Sequence, residues 1–389
     1  MQSSASVLLK NLKNTAIGCV KFAGATSQAF ATQKKIADRR WTHGPQTIKD
    51  QAEFIDPLYH KRAFCQDLNM WVDKDLAAEV TQKDLAQLHQ YKMDYWRACH
   101  FGATIPVLGG YAVVPLMWML SHDCWTPSQF NQTADETKEY RKAIDANRYK
   151  HAPRTVHETR WWLEMCTLIP EHGSDAWETL FEKNDVRRDP KKCAQVGPMY
   201  DQFLKWNMFR RQQGRSLAHA MGIPTFPTWA KMCIQHRMMT YWDIAFNEDY
   251  QVITKGLVAT MNDEELFDYA WRRYLTPVDK NFTREEVEQK VNDYLAFINN
   301  DDKLVQEGKV PNLWVVNAYT LGNYVDPAYL EHDIAELDAN DYDHIKDIPR
   351  DAFLKRMEFE NGPLRDQVEA HSQKILEERK AKAAALASE

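Results

Sequence analysis

The chain has 389 residues, room for two or three domains, and its 44 % apolar and 12 % aromatic content exclude a disordered polymer. A formal net charge of −6 supplies no overall basic field, which argues against direct nucleic-acid binding. Only 14 glycines disfavour nucleotide-binding folds and many-turned β architectures, so the composition predicts an all-α protein. The seven cysteines (Cys19, Cys65, Cys99, Cys124, Cys166, Cys193 and Cys233) are scattered and odd in number, with no Cys-x-x-Cys pair. Neither a disulfide framework nor a zinc site is expected, and a reducing compartment fits best.

Residues 1–45 open the chain as a basic segment. Lys10, Lys13, Lys21, Lys34 and Lys35 precede the first acidic residue, Asp38, and apolar residues recur at Val7, Leu8, Leu12, Ile17 and Val20. An acidic-poor, amphipathic, Ser- and Ala-rich start has the character of an organelle transit peptide. The alternative is an ordinary basic or extended arm, which the absence of arginine before Arg39 favours.

Residues 46–97 read as an amphipathic helical region, with Leu85, Leu88 and Tyr91 three apart among polar neighbours. Residues 98–122 then run between Arg97 and Asp123 without a formal charge at neutral pH. That length matches the about 20 apolar residues a spanning helix needs. Trp96, Trp118 and Trp125 lie near its ends, where amphipathic rings favour the membrane interface. Pro106, Pro115 and Gly109-Gly110 would bend such a helix, which packed neighbours tolerate in a bilayer. A buried soluble helix or an interfacial hairpin is the alternative. Three basic residues flank each side (Lys83, Lys92, Arg97; Lys138, Arg141, Lys142), so charge does not orient the segment.

Residues 123–198 form a helical connector, broken by Pro170, Gly173 and the charged run from Glu182 to Lys192. Residues 199–300 read as a compact series of short helices. Thr283-Arg284-Glu285-Glu286 fits a capping box, and Asn262-Asp263-Glu264-Glu265 has the same form with Asn at the cap. An amphipathic stretch follows each, through Leu266, Tyr269 and Ala270 and through Val287, Val291 and Leu295. Residues 301–389 make a C-terminal extension with a terminal helix over 363–389.

Three stretches carry a family resemblance: Ser216-Leu-Ala-His-Ala-Met-Gly-Ile-Pro-Thr-Phe226, Lys255-Gly-Leu-Val-Ala-Thr-Met-Asn-Asp-Glu-Glu-Leu266, and Arg272-Arg273 followed by Phe282-Thr-Arg-Glu-Glu286. With Asp94, Arg97, Ile105-Pro106, Val114-Pro115 and Trp125-Thr-Pro-Ser-Gln-Phe130, they resemble the Letm family over roughly residues 90–300. Those are leucine-zipper–EF-hand transmembrane proteins of the mitochondrial inner membrane. The resemblance implies one Pro-bearing span and a ribosome-binding-like helical domain in the matrix. The chain departs from the long members of the family in lacking the EF-hand region. Its nearest calcium-loop candidate, Asp338-Ala-Asn-Asp-Tyr-Asp-His, has Asp343 where glycine is needed and Pro349 where the bidentate Glu belongs.

Catalytic constellations are absent from the sequence: it has no Walker loop, Gly-x-Gly-x-x-Gly, Gly-x-Ser-x-Gly or His-Glu-x-x-His. His151 and His157, six apart, do not share a helix face. No catalytic residue, cofactor or metal ligand is therefore assigned. Asp94, Arg97, His100 and Asp123 are candidate charges at the membrane mouths, and Arg210, Arg211, Arg215, Trp271, Arg272 and Arg273 a candidate docking surface. The expected function is that of a non-catalytic inner-membrane protein with a matrix-side docking domain, an accessory subunit of a respiratory complex or ATP synthase. Its partners would be membrane lipid, other subunits and, in one form, the mitochondrial ribosome. Thirteen tryptophans favour a permanent interface. The alternative is Letm-type cation/proton exchange or ribosome binding, against which an uncharged span offers no intramembrane ion site.

Overall fold

The computed structural model describes residues 4–43, 72–107, 127–167, 180, 189–200, 211–223, 225 and 230–325. Among them every regular element is helical and none is a strand, so the all-α expectation holds. The helices are α1 (Ser4–His43), α2 (Gln82–Val107), α3 (Ala134–Thr167), α4 (Pro190–Tyr200), α5 (Arg211–Ala220), α6 (Lys231–Lys255), α7 (Asp263–Arg272), α8 (Arg284–Ile298), α9 (Lys303–Glu307) and α10 (Leu313–Leu321).

The N-terminal segment, expected as a targeting-like or extended arm, forms α1 and packs on the rest of the molecule. No proline precedes Pro45, so nothing interrupts the helix. It runs antiparallel to α2: Phe22 stacks on Tyr91, while Arg39, further along α1, reaches Asp73 and Glu79 ahead of α2. Leu76, Val80, Leu85, Leu88, Tyr91 and Ile244 form a small core against Ala29, Phe22, Ala25 and Ile36 of α1. The Leu85–Leu88–Tyr91 stripe thus buries as its spacing predicts. Near the other end of α1, Gly18 lies against the Phe130 ring so closely that a Cβ there would overlap the ring. Asn14 and Lys10 both hold Glu136 at the start of α3.

The main core joins all later elements. α10 is buried along its whole length, as an element apolar all round must be, and α3, α5, α6, α7 and α8 surround it or extend its core. Trp242, Phe246, Tyr274, Tyr294, Phe297 and Trp314 are its large side chains. This core runs from Val72 to Val325, so the divisions expected at 199 and 301 do not separate independent cores among the described residues.

Helix ends follow local chemistry. Asn262 with Glu265 and Thr283 with Glu286 form the two capping boxes read from the sequence. Arg284 then ties the two caps together through Asp263 and the Met261 carbonyl. α5 ends in a Schellman turn: Gly222 is left-handed, with φ 74°, and the Ile223 amide donates to the Ala218 carbonyl. Pro190, read as part of a loop-rich connector, instead opens α4, where its missing N–H costs nothing, and Asp189 caps the first turn through the Lys191 amide.

The proposed membrane segment falls largely outside the described residues. Its first ten residues, 98–107, complete α2, and 108–122 are not described. Among the described residues no helix is long and apolar enough to cross a membrane.

Candidate functional site

At the centre of the molecule lie four arginines and four carboxylates, all nearly inaccessible to solvent. Two of the carboxylates are adjacent on α6, within a stretch whose neighbours Trp242, Ala245 and Phe246 are core residues. Two of the arginines end α7. Glu248 accepts from both terminal nitrogens of Arg272, at 2.6 and 2.9 Å, from Arg273 at 2.9 Å and from Gln82 at 2.6 Å. Asp249 accepts from Arg273 Nε at 2.9 Å and from the Tyr269 and Tyr294 hydroxyls at 2.6 and 2.7 Å. Burial alone would raise the Glu248 carboxyl, but Arg272 and Arg273 outweigh it and hold the group at about 2. Burial pushes the Asp249 carboxyl up, against the pull of Arg273. Such a cluster survives in a low-dielectric interior only because nearly every charge is met by hydrogen bonds.

Two further pairs flank it, each built on one helix at i and i+3. On α3, Asp145 Oδ1 accepts from Arg148, the Trp271 indole and the Tyr324 hydroxyl, and its second oxygen accepts from the Val278 amide. On α2, Asp94 accepts from the Ser128 amide and hydroxyl, Gln90 and Tyr140. With its oxygens so occupied, Asp94 meets Arg97 only at 3.5 Å, and Arg97 gives its best hydrogen bond to the Gly222 carbonyl at 2.8 Å. The glycine turn after α5 therefore presents a backbone acceptor to a buried guanidinium.

Between these pairs is a small cavity of about 10 Å³, lined chiefly by His89, Arg97, Arg148, Tyr241, Trp271 and Arg272. No carboxylate lines it. Both ring nitrogens of His89 and the Nε–H groups of Arg97 and Arg148 are buried without hydrogen-bond partners. Burial, reinforced by Arg272 and Arg273, holds the His89 imidazole well below its ordinary value, so it is neutral at pH 7.

A second titratable pair joins α3 to α5. The His151 and His219 rings stack with centroids 5.2 Å apart, and Thr225 bonds His219 at 3.1 Å. Burial lowers both to about 4, with His219, Lys150 and Arg154 adding to the effect at His151 and Arg215 and Lys150 at His219. The sequence comparison of His151 with His157 missed this partner, which lies 68 residues away in α5. Among the described residues no group of three or more His, Cys, Asp or Glu is arranged to hold a metal.

The residues singled out in the sequence are redistributed by the fold. Asp94 and Arg97, expected at a membrane mouth, are interior partners of Ser128, Tyr140 and Gly222. Trp271, Arg272 and Arg273, expected as a docking surface, are buried, because Glu248, Asp249 and Asp145 draw their polar atoms inward. Arg215 is half-buried on α5, Arg211 opens that helix, and His100 lies on α2. Asp123 and Arg210 lie outside the described residues. Glu248, Asp249, Asp145, Arg148 and His89 were not recognised from the sequence. For Glu248 and Asp249 the available signal was two adjacent acidic residues inside the aromatic stretch 241–250, and for Asp145 and Arg148 an opposite-charge pair at i and i+3. No known protein family matches the chain, and no characterised protein matches it.

Proposed function

We propose that this chain is a non-catalytic accessory subunit of an oxidative-phosphorylation complex of the mitochondrial inner membrane. In this reading residues 98–122 hold it to the membrane as an interfacial hairpin and not as a single crossing, because the Asp94–Ser128 and Arg97–Gly222 contacts keep both flanks of the segment on one side. The helical domain docks on neighbouring subunits from the matrix side. The observation that carries the proposal is the outer face of α1. Leu9, Val20 and Phe30 are 68, 75 and 65 % exposed. Leu9 and Val20 are 11 residues apart, about three turns, and Phe30, 10 residues further, lies about 80° round the helix, so the three share one side and span roughly 31 Å. That face belongs to a fixed element: Gly18 on Phe130, Phe22 on Tyr91 and Arg39 on Asp73 hold the opposite side. A held helix that offers large apolar side chains along its length is a fitting contact surface for another subunit. The membrane location rests on the uncharged segment and on the Letm resemblance. Cation/proton exchange through Asp94 and Arg97 is the weaker reading, since both are engaged within the helical domain.

The test is gentle detergent extraction of native mitochondria, blue-native separation and mass spectrometry of co-migrating proteins. Constant stoichiometry with one respiratory or ATP-synthase assembly is expected, lost on substituting Leu9→Glu, Val20→Glu and Phe30→Glu together. Migration as a small homo-oligomer without a constant partner would overturn the reading.

A further inference from the structure

The cavity beside His89 has the composition of an anion site. Its charged wall groups are all basic, namely Arg97, Arg148 and Arg272, while Asp94, Asp145 and Glu248 lie behind them as their partners. Arg97 is the least neutralised of the three, with its carboxylate at 3.5 Å. The Nε–H groups of Arg97 and Arg148 have no acceptor, and His89 can add one ring N–H. At about 10 Å³ the space is at the lower limit for one water-sized particle. A halide, which is larger, enters only as the flexible Gln90 and Met93 side chains in the wall give way, and sulfate, phosphate or a carboxylate is excluded.

We propose that this cavity binds one monatomic anion of the halide class, and that the anion enters together with a proton on His89. The coupling follows from charge. Arg97, Arg148, Arg272 and Arg273 face an equal number of buried carboxylates, so the cluster is already neutral. A lone anion would leave a net charge in a low-dielectric interior, which is costly. A proton on the imidazole cancels it. The groups facing His89 are Arg97 on its own helix, Arg148 with Asp145 on α3, Tyr241 and Glu248 on α6, and Arg272 and Arg273 at the end of α7. Without an anion the arginines oppose that proton. With one, the anion accepts from imidazolium and guanidinium together. A water accepting from the Arg97 and Arg148 Nε–H groups would also fit the space, and it is the outcome that the test separates from an anion.

The test uses the purified full chain in detergent. Its thermal midpoint is followed against sodium bromide, with gluconate holding ionic strength constant, at pH 6 and pH 8. The expected result is a rise that saturates as a single site and is larger at pH 6. His89→Leu, which deletes an imidazole that has no hydrogen bond, should remove the pH dependence of the bromide effect. Crystals grown in bromide should show an anomalous peak between His89, Arg97 and Arg148. If His89→Leu does not fold, that peak decides. Equal midpoints in bromide and gluconate, or a cavity without the peak and holding only water, would overturn the proposal.

Discussion

Arg273 holds two carboxylates at the centre of the molecule, and Arg39 holds three at its edge, Asp75 the most distant of them at 3.6 Å. Arg273 is wholly buried with Glu248 and Asp249, and also donates to the Ala245 carbonyl. Arg39 clasps Asp73 and Glu79 where α1 meets the region ahead of α2, with Asp73 shielded and Glu79 about half in water. The contacts are alike and the consequences are not. Water reaches two of the partners of Arg39, Asp75 and Glu79, whereas Asp249 deprived of its arginine has only two hydroxyls to turn to. The central cluster therefore fixes how α6, α7 and α8 fit together, while the edge clasp decides how firmly α1 stays attached.

The sharpest way to break that contrast is Arg273→Ala. It leaves the Asp249 charge with only the Tyr269 and Tyr294 hydroxyls, while Glu248 keeps Arg272, and should cost about 3–5 kcal/mol. Chemical denaturation of the full chain would show this as a large fall in midpoint, and a change below about 1 kcal/mol, the range of an exposed pair, would equate the two arginines.

Acid sharpens the comparison at a third place. His151 and His219 are held at about 4 in the folded protein, against about 6.5 in an unfolded chain. The unfolded state therefore binds more protons between those values, so stability is fully present above about pH 6.5 and falls as the pH drops toward 4. Glu248, held at about 2, loses its contribution only at lower pH, below its ordinary 4.5. The α3–α5 seam should thus weaken before the central cluster. Thermal midpoints between pH 7.5 and 4.5 should fall for the native chain and fall less steeply for the His151→Gln, His219→Gln double variant, the remaining slope belonging to His89 and His236. Equal slopes in both would refute the assignment.

The smallest of the three effects belongs to α1. Gly18→Leu forces a side chain into the Phe130 ring, an overpacking worth about 1–3 kcal/mol. Because that contact lies outside the main core, amide exchange should quicken along α1 and hardly change in α10. Uniform quickening in both helices would show that α1 and the core unfold as one unit.

The elements specified by neighbouring residues were legible in the sequence. Both capping boxes and the Leu85–Leu88–Tyr91 stripe are three- and four-residue patterns, and the fold uses them as written. Long-range pairing was not legible. Trp271-Arg272-Arg273-Tyr274 read either as core aromatics at helical spacing or as a docking surface, and nothing nearby decided between them, since the acidic partners of the two arginines lie 24 residues earlier on another helix. Asp94 and Arg97 were assigned by their nearness in sequence to an uncharged segment, while the fold joins them to Ser128, Tyr140 and Gly222. The charged run from Glu182 to Lys192 was read as a break, though the Pro190 within it is as much at home in a first helical turn.

Tyr274 shows what distant partners impose on a local shape. Its backbone is left-handed, with φ 59°, a conformation that costs an ordinary side chain about 1–2 kcal/mol. Nothing in its immediate sequence favours that choice over glycine or asparagine. Its hydroxyl donates to the Met221 carbonyl, its ring stacks on Tyr241, and the Arg148 guanidinium lies 4.7 Å from the ring centre. The link between α7 and α8 is thus dictated by residues from three other helices or their ends. An excised α7–α8 hairpin would keep its caps and lose its bend, since the instruction for that corner is written elsewhere in the chain.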